Sequence, residues 1–161
     1  LNEIEDKVAW PEHMLMNLIV LMGKPGGGVR PIALMPMIYR IWSKARRSYI
    51  ETWEKKQQGP WDAAVKGSSA LIAAANRSVI AEIHHRNGNF VANLMLGMEK
   101  FFDTIDPIPL LDAIIQTKFP PADACMALQM HLAPRAVQVQ GLTGELIRID
   151  KSILAGCGYR L

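Results

Sequence analysis

Two short segments gather residue types that do chemistry. In Gly23-Lys24-Pro25-Gly26-Gly27-Gly28-Val29-Arg30-Pro31-Ile32, the glycines let backbone approach a phosphate closely, and Lys24 and Arg30 set a cation on each side of the bend. The lysine precedes the glycines and no Gly-Lys-Ser/Thr follows, so this is not a Walker loop. An exposed hairpin turn with two solvated cations would use the same residues. The second segment is an apolar run from Phe90 to Leu96 that ends near Glu99, Asp103 and Asp106. Carboxylates at the end of a strand suit a hard divalent cation. A strand-to-helix corner whose acids cap helices accounts for them as well.

The elements that would carry these residues follow from periodicity. Leu15 to Met22 and Val29 to Leu34 are short apolar runs around the glycine-rich bend and predict a hairpin, with Pro31 and Pro36 opposing helix. From Ile38 the spacing becomes helical, with Ile38, Ile41, Trp42, Ala45, Tyr49 and Trp53 on one stripe. Ser68-Ser69 predicts the cap of a further helix that Asn87-Gly88 stops. Phe90 to Leu96, with only Asn93 polar, predicts a central strand buried on both faces. Asp106-Pro107 opens a helix to about Lys118, and Pro121 opens another. Val137 to Gln140 and Leu146 to Asp150 alternate around a turn at Gly141 to Gly144, predicting a second hairpin. This mixed order indicates an α+β fold with helices packed on a small, mostly antiparallel sheet.

Composition bounds the function. The 161 residues are half apolar and one-fifth charged, enough to bury a core, and the net charge of +3 permits a polyanionic partner without demanding one. Two cysteines, Cys125 and Cys157, make neither a disulfide framework nor a zinc cluster. No apolar stretch approaches the roughly 20 residues of a membrane helix. Three acids among the first seven residues speak against a secretory leader. The chain starts at Leu1 and stops at Leu161 without a turn signal, so both ends read as cut.

Four segments together resemble the reverse transcriptases of non-LTR retrotransposons and related retroelements. Lys24-Pro25 followed by Arg30-Pro31-Ile32 resembles the fingers motif Lys-Pro-Gly … Arg-Pro-Ile. Ala64-Val65-Lys66-Gly67-Ser68-Ser69 is similar to a degraded Gly-Phe-Arg-x-Gly-Arg-Ser-Thr. Met98 to Ile105 resembles the palm motif Leu-Asp-x-Glu-Lys-Ala-Phe-Asp-x-Ile, and Ser152 to Cys157 resembles Gly-x-Pro-Gln-Gly-Cys. The order and gaps are in register from about Leu15 to Leu161.

The resemblance implies a partial right-hand polymerase fold, with a fingers-like region at 1–89 and an incomplete palm at 90–161, in one continuous fragment. It implies that Lys24 and Arg30 hold the incoming triphosphate, that Phe102 lies beneath the sugar, and that Gly156 lines the nucleotide pocket. The partners would be an RNA template, a DNA primer and dNTP. Mg²⁺ is the cofactor implied for the intact family enzyme, with none expected for this chain. The location stays open, an intracellular place such as the nucleus fitting a retroelement protein. The departures are specific. Gly97 stands where the family has its metal-binding Asp, Phe101 replaces a small residue, and Ala155 replaces Gln. No aromatic-x-Asp-Asp motif occurs in the 161 residues. Glu99 and Asp103 remain as weak metal candidates, and the expectation is a chain that does not polymerise.

Two other outcomes stay open at this level. The chain could be a binding remnant that holds RNA or template–primer through Lys24, Arg30 and the Arg46-Arg47 helix, or a pseudogene product without selected function. His84-His85 read as the cationic end of a helix. Trp10, Trp42, Trp53 and Trp61 read as packing residues.

Overall fold

The structure is a computed structural model that describes residues 1–59, 62–64, 67–98 and 100–154. It is α+β. In chain order it comprises α1 (Asn2–Lys7), a 3-10 turn (Glu12–Met14), β1 (Asn17–Gly23), β2 (Val29–Leu34), α2 (Met37–Gln57) and α3 (Ala70–Arg86). A single turn, α4 (Phe101–Thr104), leads to α5 (Pro107–Gln116), α6 (Pro121–His131), β3 (Arg135–Val139) and β4 (Leu142–Ile147). The chain forms two compact units, 1–53 with 100–161 and, separately, 54–99.

The sheet lies in the first unit, in the order β2-β1-β3-β4, with β1 and β3 parallel and both outer pairs antiparallel. Both expected hairpins form. In the first, Met22 pairs with Arg30 and Gly23 with Val29, and the bend closes by Lys24 N–H donating to the Gly28 carbonyl at 3.0 Å. Gly27 and Gly28 take φ of 91° and 81° there, a region that side chains with a Cβ resist. Pro31 is tolerated because β2 is an edge strand. The second hairpin turns one step earlier than its sequence suggests. Gln140 and Gly141, both at positive φ, make the two-residue turn, and Gly144 lies within β4. A bulge between the Ala136–Leu146 and Gln138–Thr143 pairs absorbs the extra residue.

The core is helical. Trp10, Tyr39, Trp42, Ile50, Ile114, Phe119, Met126 and Met130 belong to one buried cluster, which contains no strand residue. The helices therefore pack on one another rather than simply covering the sheet. Trp10, Tyr39 and Trp42 meet with ring centroids 5.6–5.7 Å apart. Each indole N–H finds an acceptor: Trp10 the Met126 carbonyl at 3.0 Å, Trp42 the Glu5 carboxylate at 2.7 Å and Trp53 the Thr117 carbonyl at 2.8 Å. The packing role expected of these three tryptophans thus matches their surroundings, while Trp61 lies outside the described residues.

Two expectations need correction. The buried face of α2 carries Tyr39, Trp42, Ser43 and Ile50, whereas Ile41 and Tyr49 are exposed. Its position is fixed by Arg46, which donates from Nε and Nη2 to the two oxygens of the buried Asp123 on α6, both at 2.9 Å. Residues 89–98 form no strand, and Phe90, Leu94, Met95 and Leu96 are exposed. Apolar composition is insufficient there because a strand also needs a ladder partner, and none pairs with this run among the described residues.

The caps follow the sequence more closely. Ser69 Oγ accepts the Ile72 N–H at 3.1 Å, and Asp106 accepts the Ile108 N–H at 3.0 Å. No helix among the described residues is long and apolar enough to cross a membrane, and Cys125 is a free thiol. Removing the Asp123 carboxylate leaves the Arg46 guanidinium in a partly buried site without its bidentate partner. Asp123→Ala is expected to lower unfolding free energy in urea by about 3 kcal/mol. Arg47→Ala, which loses only an exposed pair with Glu51 on the same helix, is expected to cost less than about 0.5 kcal/mol.

Candidate nucleotide-binding cleft

Within the first unit, one cleft of about 680 Å³ gathers residues that are far apart in sequence. The first hairpin contributes Lys24 and Arg30, with Ile19, Ile32 and Ala33 as its apolar wall. The single turn α4 contributes Phe101, Phe102 and Asp103, with Lys100 immediately before it. Arg135, at the start of β3, and Ile153 and Leu154 complete the lining. Among the described lining residues, Lys24, Arg30, Lys100 and Arg135 thus outnumber one carboxylate, Asp103. Such a balance attracts anions.

Backbone hydrogen bonds hold the parts together. Lys100 adopts φ of 50°, and its carbonyl accepts the Asp103 N–H at 2.9 Å to close the turn. The Phe102 carbonyl accepts the Ile153 N–H at 2.9 Å, and the Ile105 carbonyl accepts the Ser152 N–H at 2.8 Å. These two bonds tie the stretch Phe102–Ile105 to Ser152 and Ile153. The Phe101 and Phe102 rings meet edge to face, with centroids 5.4 Å apart, and both are half-exposed.

A second set of bonds secures the same wall from behind. His131, the last residue of α6, is buried, and its Nδ1 accepts the Leu154 N–H at 2.9 Å. That bond requires Nδ1 to be unprotonated. Burial, with the Arg135 charge adding to it, pushes the imidazole down from 6.5 to about 4. Arg135 donates from Nη1 to Ser152 Oγ at 3.1 Å and from Nη2 to the His131 carbonyl at 3.3 Å. Burial lowers the Arg135 pKa and Asp103 opposes that, yet a guanidinium stays charged at neutral pH. Ser152 is held at φ of 103°, a conformation that costs on the order of 1–3 kcal/mol and persists only under such restraint.

The expected site residues divide clearly. Lys24, Arg30, Phe102 and Asp103 share the cleft. Glu99, Gly156 and Cys157 lie outside the described residues. Gly97 belongs to the other compact unit. A Cβ there would meet nothing within 4 Å, so the backbone does not require glycine at this position. Arg46 is held by Asp123, and Arg47 pairs with Glu51 at 3.0 Å. His84 and His85 sit in the last turn of α3 as expected. Arg135 and His131 carry no motif signal. The alternation begins at Val137, two residues after Arg135, and gives Arg135 no role.

As to metal, among the described residues Asp103 is the one carboxylate lining the cleft, and no cluster of three His, Cys, Asp or Glu side chains occurs. Gly97 offers no ligand. The donor set among the described residues does not by itself fit a pair of bound Mg²⁺ ions, which take several carboxylate oxygens. No protein-family model matches the chain, and no curated protein matches it.

The His131 ring sets an expected pH dependence. Its pKa is about 4 when folded against 6.5 for the free side chain, so the unfolded chain takes up the proton first as pH falls. This contribution is complete above pH 6.5 and is lost on approaching pH 4, costing about 3 kcal/mol. His131→Asn keeps an acceptor for the Leu154 N–H without a titrating ring. Urea unfolding at a series of pH values is expected to give a flatter profile for His131→Asn than for the parent between pH 6.5 and 4.

Proposed function

We propose that the chain is the fingers and first palm portion of a retroelement reverse transcriptase that keeps the pocket for an incoming nucleotide but lacks the means to polymerise. One observation carries this reading. Residues from three separated segments, each resembling a motif of that family, line a single cleft: Lys24 and Arg30, then Phe102, then Ile153 and Leu154 just before Gly156.

The chemistry of the lining supports it. Lys24 and Arg30 flank a tight bend and can offer charge-assisted hydrogen bonds to phosphate oxygens. The half-exposed Phe102 ring supplies a flat apolar edge for a sugar. The apolar wall of Ile19, Ile32 and Leu154 lowers the local dielectric and strengthens those charge interactions. Magnesium, in the intact family enzyme, stabilises the attacking and leaving oxygens of phosphoryl transfer. The donor set among the described residues does not by itself fit that pair of ions, so binding without transfer is the proposed activity.

Template holding through Arg46 and Arg47 draws less support, because Asp123 and Glu51 already engage both guanidinium groups. The test is equilibrium binding of a dNTP to the 161-residue chain. Lys24→Ala and Arg30→Ala are each expected to weaken it about tenfold or more, the worth of a hydrogen bond to a charged group. Primer extension on an RNA template is expected to stay at the no-enzyme background. Equal affinity in both variants, or extension above background, would contradict the proposal.

A further inference from the structure

Lys100 and Arg135 also line the cleft, and the family resemblance gives neither of them a role. Lys100 is exposed and is itself the left-handed residue before α4. Arg135, by contrast, is held before any ligand arrives. The Arg135 guanidinium is tethered to Ser152 and to the His131 carbonyl, while its buried Nε has no hydrogen-bond partner. A cation held this way loses little side-chain entropy on meeting an anion. Among the described residues, the cleft therefore has four cations, one carboxylate and no cluster of three side chains that could hold a metal ion.

We propose that this cleft binds a polyphosphate as the metal-free anion, with Lys100 and Arg135 supplying positive charge in place of bound magnesium. The inference rests on the nucleotide-pocket reading and goes beyond it in naming the ionic state of the ligand. Its physical basis is a sign. A site that works through a bound ion gains affinity when Mg²⁺ is added. A site that works through its own cations loses affinity, because Mg²⁺ neutralises two charges of the ligand before it reaches the cleft.

Isothermal titration of the 161-residue chain with inorganic tripolyphosphate and, separately, with dATP tests this. Each titration is run in EDTA and in excess Mg²⁺ at matched ionic strength. Both probes are expected to bind in EDTA, and Mg²⁺ to weaken both about fivefold or more. Lys100→Gln and Arg135→Gln are each expected to weaken binding in EDTA by about five- to tenfold. Arg135→Gln also loses its hold on Ser152, so Lys100→Gln, an exposed side chain, keeps the test independent of folding. Binding that requires or is strengthened by Mg²⁺ would overturn this inference and leave the nucleotide-pocket reading standing. Binding of dATP but not of tripolyphosphate would likewise overturn the inference alone. No binding of either probe under either condition would overturn both.

Discussion

The hydrogen bond from the Leu154 N–H to the buried His131 ring, at 2.9 Å, joins the helical core to the wall of the cleft. On one side of it lies α6, whose Met126 and Met130 belong to the buried cluster with Trp10, Tyr39 and Trp42. On the other lies the stretch Ser152–Leu154, which has no regular secondary structure and would otherwise leave backbone groups buried without partners. The Ile105 carbonyl, the Phe102 carbonyl and the His131 ring accept the N–H groups of Ser152, Ile153 and Leu154 in turn. The ring can do this only while neutral, so burial that depresses its pKa and the bond that needs its lone pair reinforce each other. The short span from His131 to Arg135 also delivers the guanidinium that braces Ser152.

α6 is anchored at its other end by a second buried polar group. Asp123 is 1 % exposed and is matched by the planar fork of Arg46 from α2. A carboxylate so deeply placed is costly unless paired and hydrogen-bonded, and the bidentate geometry answers both needs. The same pair explains why the basic face of α2 is not uniformly available to a polyanion. At the cleft, cationic side chains come from the hairpin, from the residue before α4 and from the start of β3.

Local signals in the sequence were enough for much of this fold. The glycine-rich bend, the Ser69 and Asp106 caps, the proline starts of α5 and α6 and the second hairpin all follow from residue chemistry over a few positions. What was hidden depends on partners distant in the chain. Arg46 looks like a solvent-facing base until Asp123, 77 residues away, turns it inward and rotates the buried face of α2. The run from Phe90 to Leu96 has the composition of a buried strand, yet no neighbour pairs with it among the described residues. Lys24, Arg30 and Asp103 are chemical candidates from their residue types and spacing, and Phe102 from the family resemblance. Arg135 and His131 are not, because their roles arise from contacts with Ser152 and Leu154 that no local spacing encodes.

The central claim is that three separated segments form one anion site. Amide chemical-shift mapping of the isotopically labelled chain during titration with tripolyphosphate tests it most directly. The account predicts concerted shifts, with one affinity, at Lys24 to Arg30, at Lys100 to Asp103 and at Ile153 and Leu154. Shifts confined to α2 around Arg46 and Arg47, or separate affinities for the three segments, would contradict it.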